Sequence, residues 1–339
     1  MRKPLTVSLI VLFGLSLLAL SLSWGESDAP AGHSASVSEL FRYEPTGLSL
    51  LSPYTRGKIP VLFIHGLWLT PGSWHRMIAT LEEDPSIKGR YQFWTFGYST
   101  GDPIPYSAHL LRENLAEVRR KLDPDRSDTA LDRMVIVGHS MGGLLSKMMA
   151  AQAGDHLWRV ISDRPDGELM GEQADIDLIR SSLFFGARPE VRRVVYIATP
   201  HRGSRFDRGP IERLGTRLVR VPDPLVAAHN RLVTRNGPTF FREHFRKAIP
   251  TSIDELEWGS PILTGLRELS PDPAVKLHSI IAILPGAPAG DRTDGLVTYE
   301  SAHVTGVASE KIVMTGHLCQ DHPDVIAEVR RILNEHATP

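Results

Sequence analysis

The sequence predicts an α/β fold: a mostly parallel central sheet covered by helices on both faces, with helical segments inserted between strands. Three observations carry that expectation. Short apolar runs of strand length alternate with longer amphipathic stretches. One of these runs, Val135-Ile136-Val137, leads straight into a serine bracketed by glycines. Two stretches, about 155–190 and 202–274, are far longer than ordinary connections and read as helical cap insertions at the edge of the sheet.

The first 23 residues form a unit of their own. Arg2 and Lys3 precede an uncharged, mostly apolar run over residues 5–22, with Ser21 and Ser23 near its end, which is the layout of an export signal. At about 1.5 Å per residue the same run would also cross most of a bilayer core. It therefore reads either as a cleaved signal or as a retained anchor. The absence of a cysteine after it argues against lipoprotein attachment. The expected location is outside the cytoplasm, periplasmic or secreted, or held to a membrane through residues 5–22. Residues 24–50, rich in Ser, Gly, Ala and Pro, read as a linker, and residues 51–336 as the folded domain.

Within that domain, residues 59–64 are a buried-strand run, and 74–82 look helical. Residues 91–98 are aromatic and alternating, hence strand-like. Residues 108–122 carry Leu111, Leu115, Val118 and Leu122 at helical spacing, with charges between them. Further strands are expected over 133–137, 191–197, 277–284 and 311–314. Pro323 then opens a final helix through Leu333, with Asp324 and Glu328 towards its positive end.

Composition narrows the function classes. The chain has 339 residues, and 38 Lys and Arg nearly balance 39 Asp and Glu. Without a basic field there is no electrostatic footprint for nucleic acid. The single cysteine, Cys319, rules out an internal disulfide and a cysteine-based metal site, and it reads as a small apolar residue under a loop.

The serine is the most informative position. Gly138-His139-Ser140-Met141-Gly142 fits the G-x-S-x-G pattern, in which a sharp strand-to-helix turn lifts the hydroxyl clear of its backbone. A serine hydroxyl is a weak nucleophile until a base takes its proton. Ser140 is the expected nucleophile, and the N–H of Met141 points at the same reaction centre. A second oxyanion donor is expected where the first strand ends, in Ile64-His65-Gly66-Leu67-Trp68. Gly66 lets the chain turn sharply, so the N–H of Leu67 joins that of Met141, while His65 reads as a turn residue. Losing one such donor typically costs about 3–4 kcal/mol in the transition state.

An acid and a base should follow, each on a loop after a later strand. Asp294, before Gly295, is the leading acid, with Asp291, Glu300 and Asp207 as alternatives. His317, after Thr315 and Gly316, is the expected base. Its competitor, His322, abuts Pro323 and reads as part of the final helix start. Leu67, Trp68, Trp74 and Leu144 lie near these motifs in sequence and suit an apolar substrate group, although core packing accounts for them about as well.

Together the segments 64–67, 138–143, 198–204, 293–297 and 316–317 resemble the α/β-hydrolase superfamily, in particular its lipase and esterase branch. The resemblance spans roughly residues 58–335, with the insertions unmatched. It implies an α/β-hydrolase fold with an eight-stranded type of sheet, Ser140, Asp294 and His317 as triad, and Leu67 and Met141 as oxyanion donors. The Thr199-Pro200-His201-Arg202-Gly203-Ser204 stretch looks like a pocket-lining loop of such enzymes, which makes His201 a substrate-binding candidate. Some similar lipases hold a structural calcium through an aspartate two positions after the histidine. That position is Cys319 here, and Asp321 would need a different loop, so no metal and no cofactor is expected. The resulting expectation is a serine hydrolase of carboxylic esters. Acyl transfer or phospholipid remodelling on the same triad is the alternative, and a non-catalytic binding protein the remote one.

Overall fold

The computed structural model describes residues 46–204, 221–287 and 292–337. The apolar run 5–22, most of the 24–50 stretch, Asp207 and Asp291 lie outside the described residues.

Seven strands form one sheet: β1 (Gly47–Leu50), β2 (Ile59–Ile64), β3 (Tyr91–Gly97), β4 (Met134–His139), β5 (Val191–Ile197), β6 (Lys276–Ile283) and β7 (Ser309–Met314). Their spatial order is β1-β3-β2-β4-β5-β6-β7. All pairs are parallel except β1 with β3, where Gly47 faces Gly97 and Leu50 faces Trp94. β1 lies inside the stretch read as linker, so the sheet starts earlier than expected, at its antiparallel edge. The resemblance implies eight strands; seven occur among the described residues.

The apolar strand runs follow from burial on both faces. Along β2, Leu62 and Ile64 point into one core with Phe96, Ile136 and Tyr196. Val61 and Phe63 point into the other with Phe93, Val137 and Ile197. The first face is covered by the helices Ile104–Leu122 and Met141–Ala150. The second is covered by His75–Glu82, Pro85–Arg90 and Pro323–Ala337. The helix expected from residue 108 begins at Ile104, because Pro105 is tolerated in a first turn, where its missing N–H has no partner to lose.

The two long connections fold as helices. His156–Ile161 and Gln173–Leu183 come from the first, and Asp223–Asn236, Glu243–Lys247, Ser252–Leu256 and Pro261–Glu268 from the second. They pack on one another: Gly265 lies so close to Leu157 and Val160 that a side chain there would press on both. The strands' carboxyl ends carry Leu67, Ser140, Asp294 and His317, after β2, β4, β6 and β7. In a parallel sheet these ends share one edge, so four positions far apart in sequence converge.

Candidate active site

Ser140 sits between β4 and the helix Met141–Ala150 at φ 53° and ψ −124°. A non-glycine residue is rarely found there, and the strain must be held by its surroundings. Its N–H donates to the Ile197 carbonyl (2.8 Å), and its carbonyl accepts from Gly143 (2.9 Å). The glycines around it answer to close approach. A Cβ on Gly138 would collide with Ser146 and with the Gly142 backbone, and one on Gly142 with the Ile64 and His65 carbonyls.

Three expected residues meet. His317 Nε2 lies 2.9 Å from Ser140 Oγ, and His317 Nδ1 lies 2.8 Å from Asp294 Oδ2. The other oxygen, Asp294 Oδ1, accepts from the N–H groups of Leu296 (2.9 Å) and Val297 (2.7 Å). Gly295 adopts φ 100°, which lets the chain fold back so that both N–H groups reach the carboxylate. The Asp294 side chain is 1% exposed. A buried carboxylate held by two amides and aimed at one imidazole nitrogen fixes the ring's tautomer and orientation. The opposite nitrogen then faces the serine hydroxyl as an acceptor.

Met141 is the first residue of its helix, where an N–H has no intrahelical partner. Neither its N–H nor that of Leu67 takes part in a hydrogen bond among the described residues. A Cβ on Gly66 would come within 2.9 Å of the Ser140 Cβ, so the Leu67 turn runs directly against the serine. Two open donors beside a serine–imidazole pair can stabilise negative charge on a substrate oxygen.

The other candidates separate. Glu300 is exposed and pairs with Arg202 (3.0 Å), away from His317. His322 Nδ1 accepts from the Asp324 N–H (3.2 Å) at the start of the C-terminal helix. His65 stacks on Tyr98 at 4.5 Å, and burial pushes its imidazole down to about 4, so it stays neutral as a turn residue. Cys319 is fully buried in the second core, and burial raises its thiol to about 12. Trp68, at φ 59°, is 48% exposed next to Leu67. Leu318 and Leu284 are also exposed, the first beside His317, the second beside Gly295 and Gly316. All three are exposed apolar side chains beside residues of the candidate site.

One expected substrate contact, Trp74, needs correction. Trp74 has no exposed surface; it packs on Phe63 at 5.1 Å and edge-on to His139 at 6.5 Å. The 3-10 turn Pro71–Trp74 carries it under the sheet, so it is a core residue. His201 lines a cavity whose walls include neither Ser140, Asp294 nor His317.

Sequence reading missed His139. Its ring lies 5.1 Å from that of His317, and its Nε2 is 2.9 Å from the His317 carbonyl. Burial above all pushes it down to about 3, so it is neutral and donates from Nε2. It thereby clamps the loop that bears His317. The only hint was its position inside the serine pentapeptide. Also unforeseen is an apolar cavity of about 450 Å³ among the inserted helices, with Tyr106, Ile179, Leu183, Leu225, Leu232 and Phe245 in its walls. That is the size of a small-ligand pocket. Its wall also holds Glu255, which accepts from the Ile104 N–H (2.5 Å) and which burial raises to about 8.

A family model described as the alpha/beta hydrolase family matches residues 61–329. The chain belongs to that family. Among solved structures it is similar to the mature lipase BlEst2 of Bacillus licheniformis: TM-score 0.50, 14% identity, 86% of this chain and 99% of that one covered. It is also similar to a thermophilic esterase from Thermogutta terrifontis (TM-score 0.39, 14% identity, 86% and 94% covered). A third likeness is to phospholipase PlaB from Legionella pneumophila (TM-score 0.40, 15% identity, 73% and 46% covered). At 14% identity the likeness to BlEst2 is one of fold. No curated protein matches the sequence.

Proposed function

We propose that this alpha/beta hydrolase is a serine hydrolase that cleaves carboxylic esters through an acyl-enzyme. The observation that carries the reading is the hydrogen-bond chain from Ser140 through His317 to Asp294, with the open N–H groups of Leu67 and Met141 beside it. Ser140 Oγ attacks the ester carbonyl while His317 Nε2 takes its proton. The carbonyl oxygen becomes an oxyanion held by the two N–H groups. The intermediate collapses, and His317 returns the proton to the departing alcohol oxygen. Water, deprotonated by the same nitrogen, then attacks the acyl group, and Ser140 leaves with the proton. Asp294 keeps the imidazole in the accepting tautomer and stabilises its charged form.

The exposed apolar side chains of Trp68, Leu284 and Leu318 beside the candidate site support a lipophilic ester over a charged one. Thr100 joins the Trp68 turn to the cap, accepting from the Trp68 N–H (3.3 Å) and, at its carbonyl, from Ser252. Hydrolysis of p-nitrophenyl esters from acetate to palmitate tests the reading. Wild type should turn them over, Ser140→Ala should not, and a fluorophosphonate should label only the wild type. Failure of a folded wild type to react with any ester or with the probe would refute it. Export is proposed from Arg2, Lys3 and the apolar run alone. Cell fractionation with N-terminal sequencing tests it and distinguishes cleavage from anchoring.

A further inference from the structure

The cavity among the cap helices holds a carboxyl group for which ester cleavage at Ser140 has no use. Its walls include none of Leu67, Ser140, Met141, Asp294 or His317. Glu255, which lines it, is 4% exposed and belongs to the short helix Ser252–Leu256. Its main chain is fixed on both sides: its N–H donates to the Thr251 carbonyl (3.0 Å), and its carbonyl accepts from Ser260 Oγ (2.5 Å). Oε2 accepts from the Ile104 N–H, at the start of the helix Ile104–Leu122 (2.5 Å). Oε1 has no hydrogen-bond partner among the described residues, and it is not sealed from accessible space. Satisfying the end of that helix occupies one oxygen; the other opens on the cavity.

The charged groups around this cavity favour one sign of ligand. Asp175, Asp254, Glu255 and Glu257 lie in its walls, and no Lys or Arg does among the described residues. Asp175 is held by Arg231 (2.7 Å), and Asp254 by the Thr251 N–H and hydroxyl (2.8 and 2.7 Å). His229 donates from Nε2 to the Phe245 carbonyl (2.6 Å). Burial lowers the His244 imidazole and raises the Tyr106 phenol, and both shifts keep the group uncharged at neutral pH. A carboxylate that faces apolar side chains without a counter-charge is costly. Burial accordingly pushes Glu255 up to about 8, and repulsion from Asp254 adds to it. A ligand that brings a positive charge to Oε1 removes that cost, whereas an anion would add to it.

We propose that the cap cavity binds a lipophilic primary amine, its aliphatic chain against the apolar walls and its ammonium on Glu255 Oε1. The volume of about 450 Å³ is that of a small-ligand pocket, in which apolar walls supply affinity and a few polar groups fix orientation. An ammonium is a compact charge with three donors and no acceptor, which suits one free carboxylate oxygen. As it binds, Glu255 releases its proton to solvent, and a charge-assisted N–H···O bond forms. An alcohol of the same chain can make a hydrogen bond but brings no charge. A fatty acid brings the wrong charge, since its carboxylate would face Glu255 with Asp175, Asp254 and Glu257 also in the walls. The site is independent of the chemistry at Ser140.

Titration calorimetry and thermal unfolding of the full chain test this with n-octylamine, 1-octanol and sodium octanoate, which share a chain length and differ in head group. At about pH 8.5 octylamine should bind, raise Tm and exceed octanol in affinity by about tenfold, while octanoate should not bind. Below pH 8 Glu255 must lose its proton before it can pair. Octylamine affinity should therefore fall as pH drops from about 8 to 6.5, approaching about tenfold per unit, while octanol stays level. That window lies above the titration of His244. Glu255→Gln keeps an acceptor for the Ile104 N–H and should fold normally, but its NH₂ cannot receive an ammonium. It should bind octylamine about tenfold more weakly, without the pH dependence, and retain octanol. Ile179→Trp, at a half-buried wall position, fills the cavity and should lose both ligands. No binding of octylamine, octanol or octanoate bound as tightly at about pH 8.5, an unchanged pH dependence in Glu255→Gln, or undiminished octylamine binding in Ile179→Trp overturns the proposal.

Discussion

Asp294→Asn isolates what the carboxylate does for His317. The substitution preserves shape, and the amide oxygen it introduces can still accept from Leu296 and Val297, at 2.9 and 2.7 Å in the wild type. Folding should therefore change little. The other terminus becomes an NH₂ group facing His317 Nδ1 across the present 2.8 Å. An NH₂ can only donate, so Nδ1 becomes an acceptor and the ring proton moves to Nε2. Nε2, 2.9 Å from Ser140 Oγ, then donates to the serine and cannot take its proton. Inverting the tautomer in a triad of this geometry lowers kcat by about 10⁴-fold, on the order of 5–6 kcal/mol in the barrier. Steady-state hydrolysis of p-nitrophenyl butyrate at pH 7–8 measures kcat and KM, with Tm as the folding control. KM should stay within a few fold. A kcat loss under tenfold at unchanged Tm would refute the reasoning, and a large loss in Asp291→Asn instead would move the acid to that loop.

Three further outcomes are expected. His139→Phe keeps a ring against Trp74 but leaves the His317 carbonyl without its donor, so kcat should fall by about 10–100-fold with KM little changed, checked by the same assay. Gly142→Ala would push a methyl into the Ile64 and His65 carbonyls, which are backbone and cannot swing aside; Tm should drop by several degrees, consistent with about 1–3 kcal/mol of overpacking, and activity should fall further still because Leu67 moves. Acid unfolding should be steep below pH 6. Burial depresses His65, His278 and His336 to about 4 and His139 to about 3, so each is neutral when folded and protonates near 6.5 when unfolded. Their stabilisation is complete above pH 6.5 and is lost as pH falls, by about 1.4 kcal/mol per histidine per pH unit; circular dichroism against pH that stays flat to pH 4 would contradict this.

Much of the site was legible because its signals are local. The Gly138-His139-Ser140-Met141-Gly142 turn needs glycines at fixed offsets, and Asp294-Gly295 needs a residue free to take φ 100°. The order of apolar runs then left few loops for an acid and a base, and the sheet brings those loops to one edge. Glu300 and His322 were excluded only by their actual partners, Arg202 and the Asp324 N–H.

What tertiary structure alone decided was direction and company. Gly47–Leu50 has an ordinary composition for a loop, and only its pairing with β3, more than forty residues later, makes it a strand. Trp74 and Trp68 stand close to the same glycine turn, yet one is sealed in the core and the other faces solvent, because backbone turn geometry sets where each ring points. The grip of His139 on the His317 loop, the cap cavity beside Glu255, and the cavity that His201 shares with Arg267 all join residues distant in sequence. Sequence alone determined the sheet, the serine turn and the chain order of the candidate serine, acid and imidazole, since backbone preference and hydrophobic period act over a few residues. Packing determined the rest, since a side chain's partners, charge state and exposure exist only once distant segments come together.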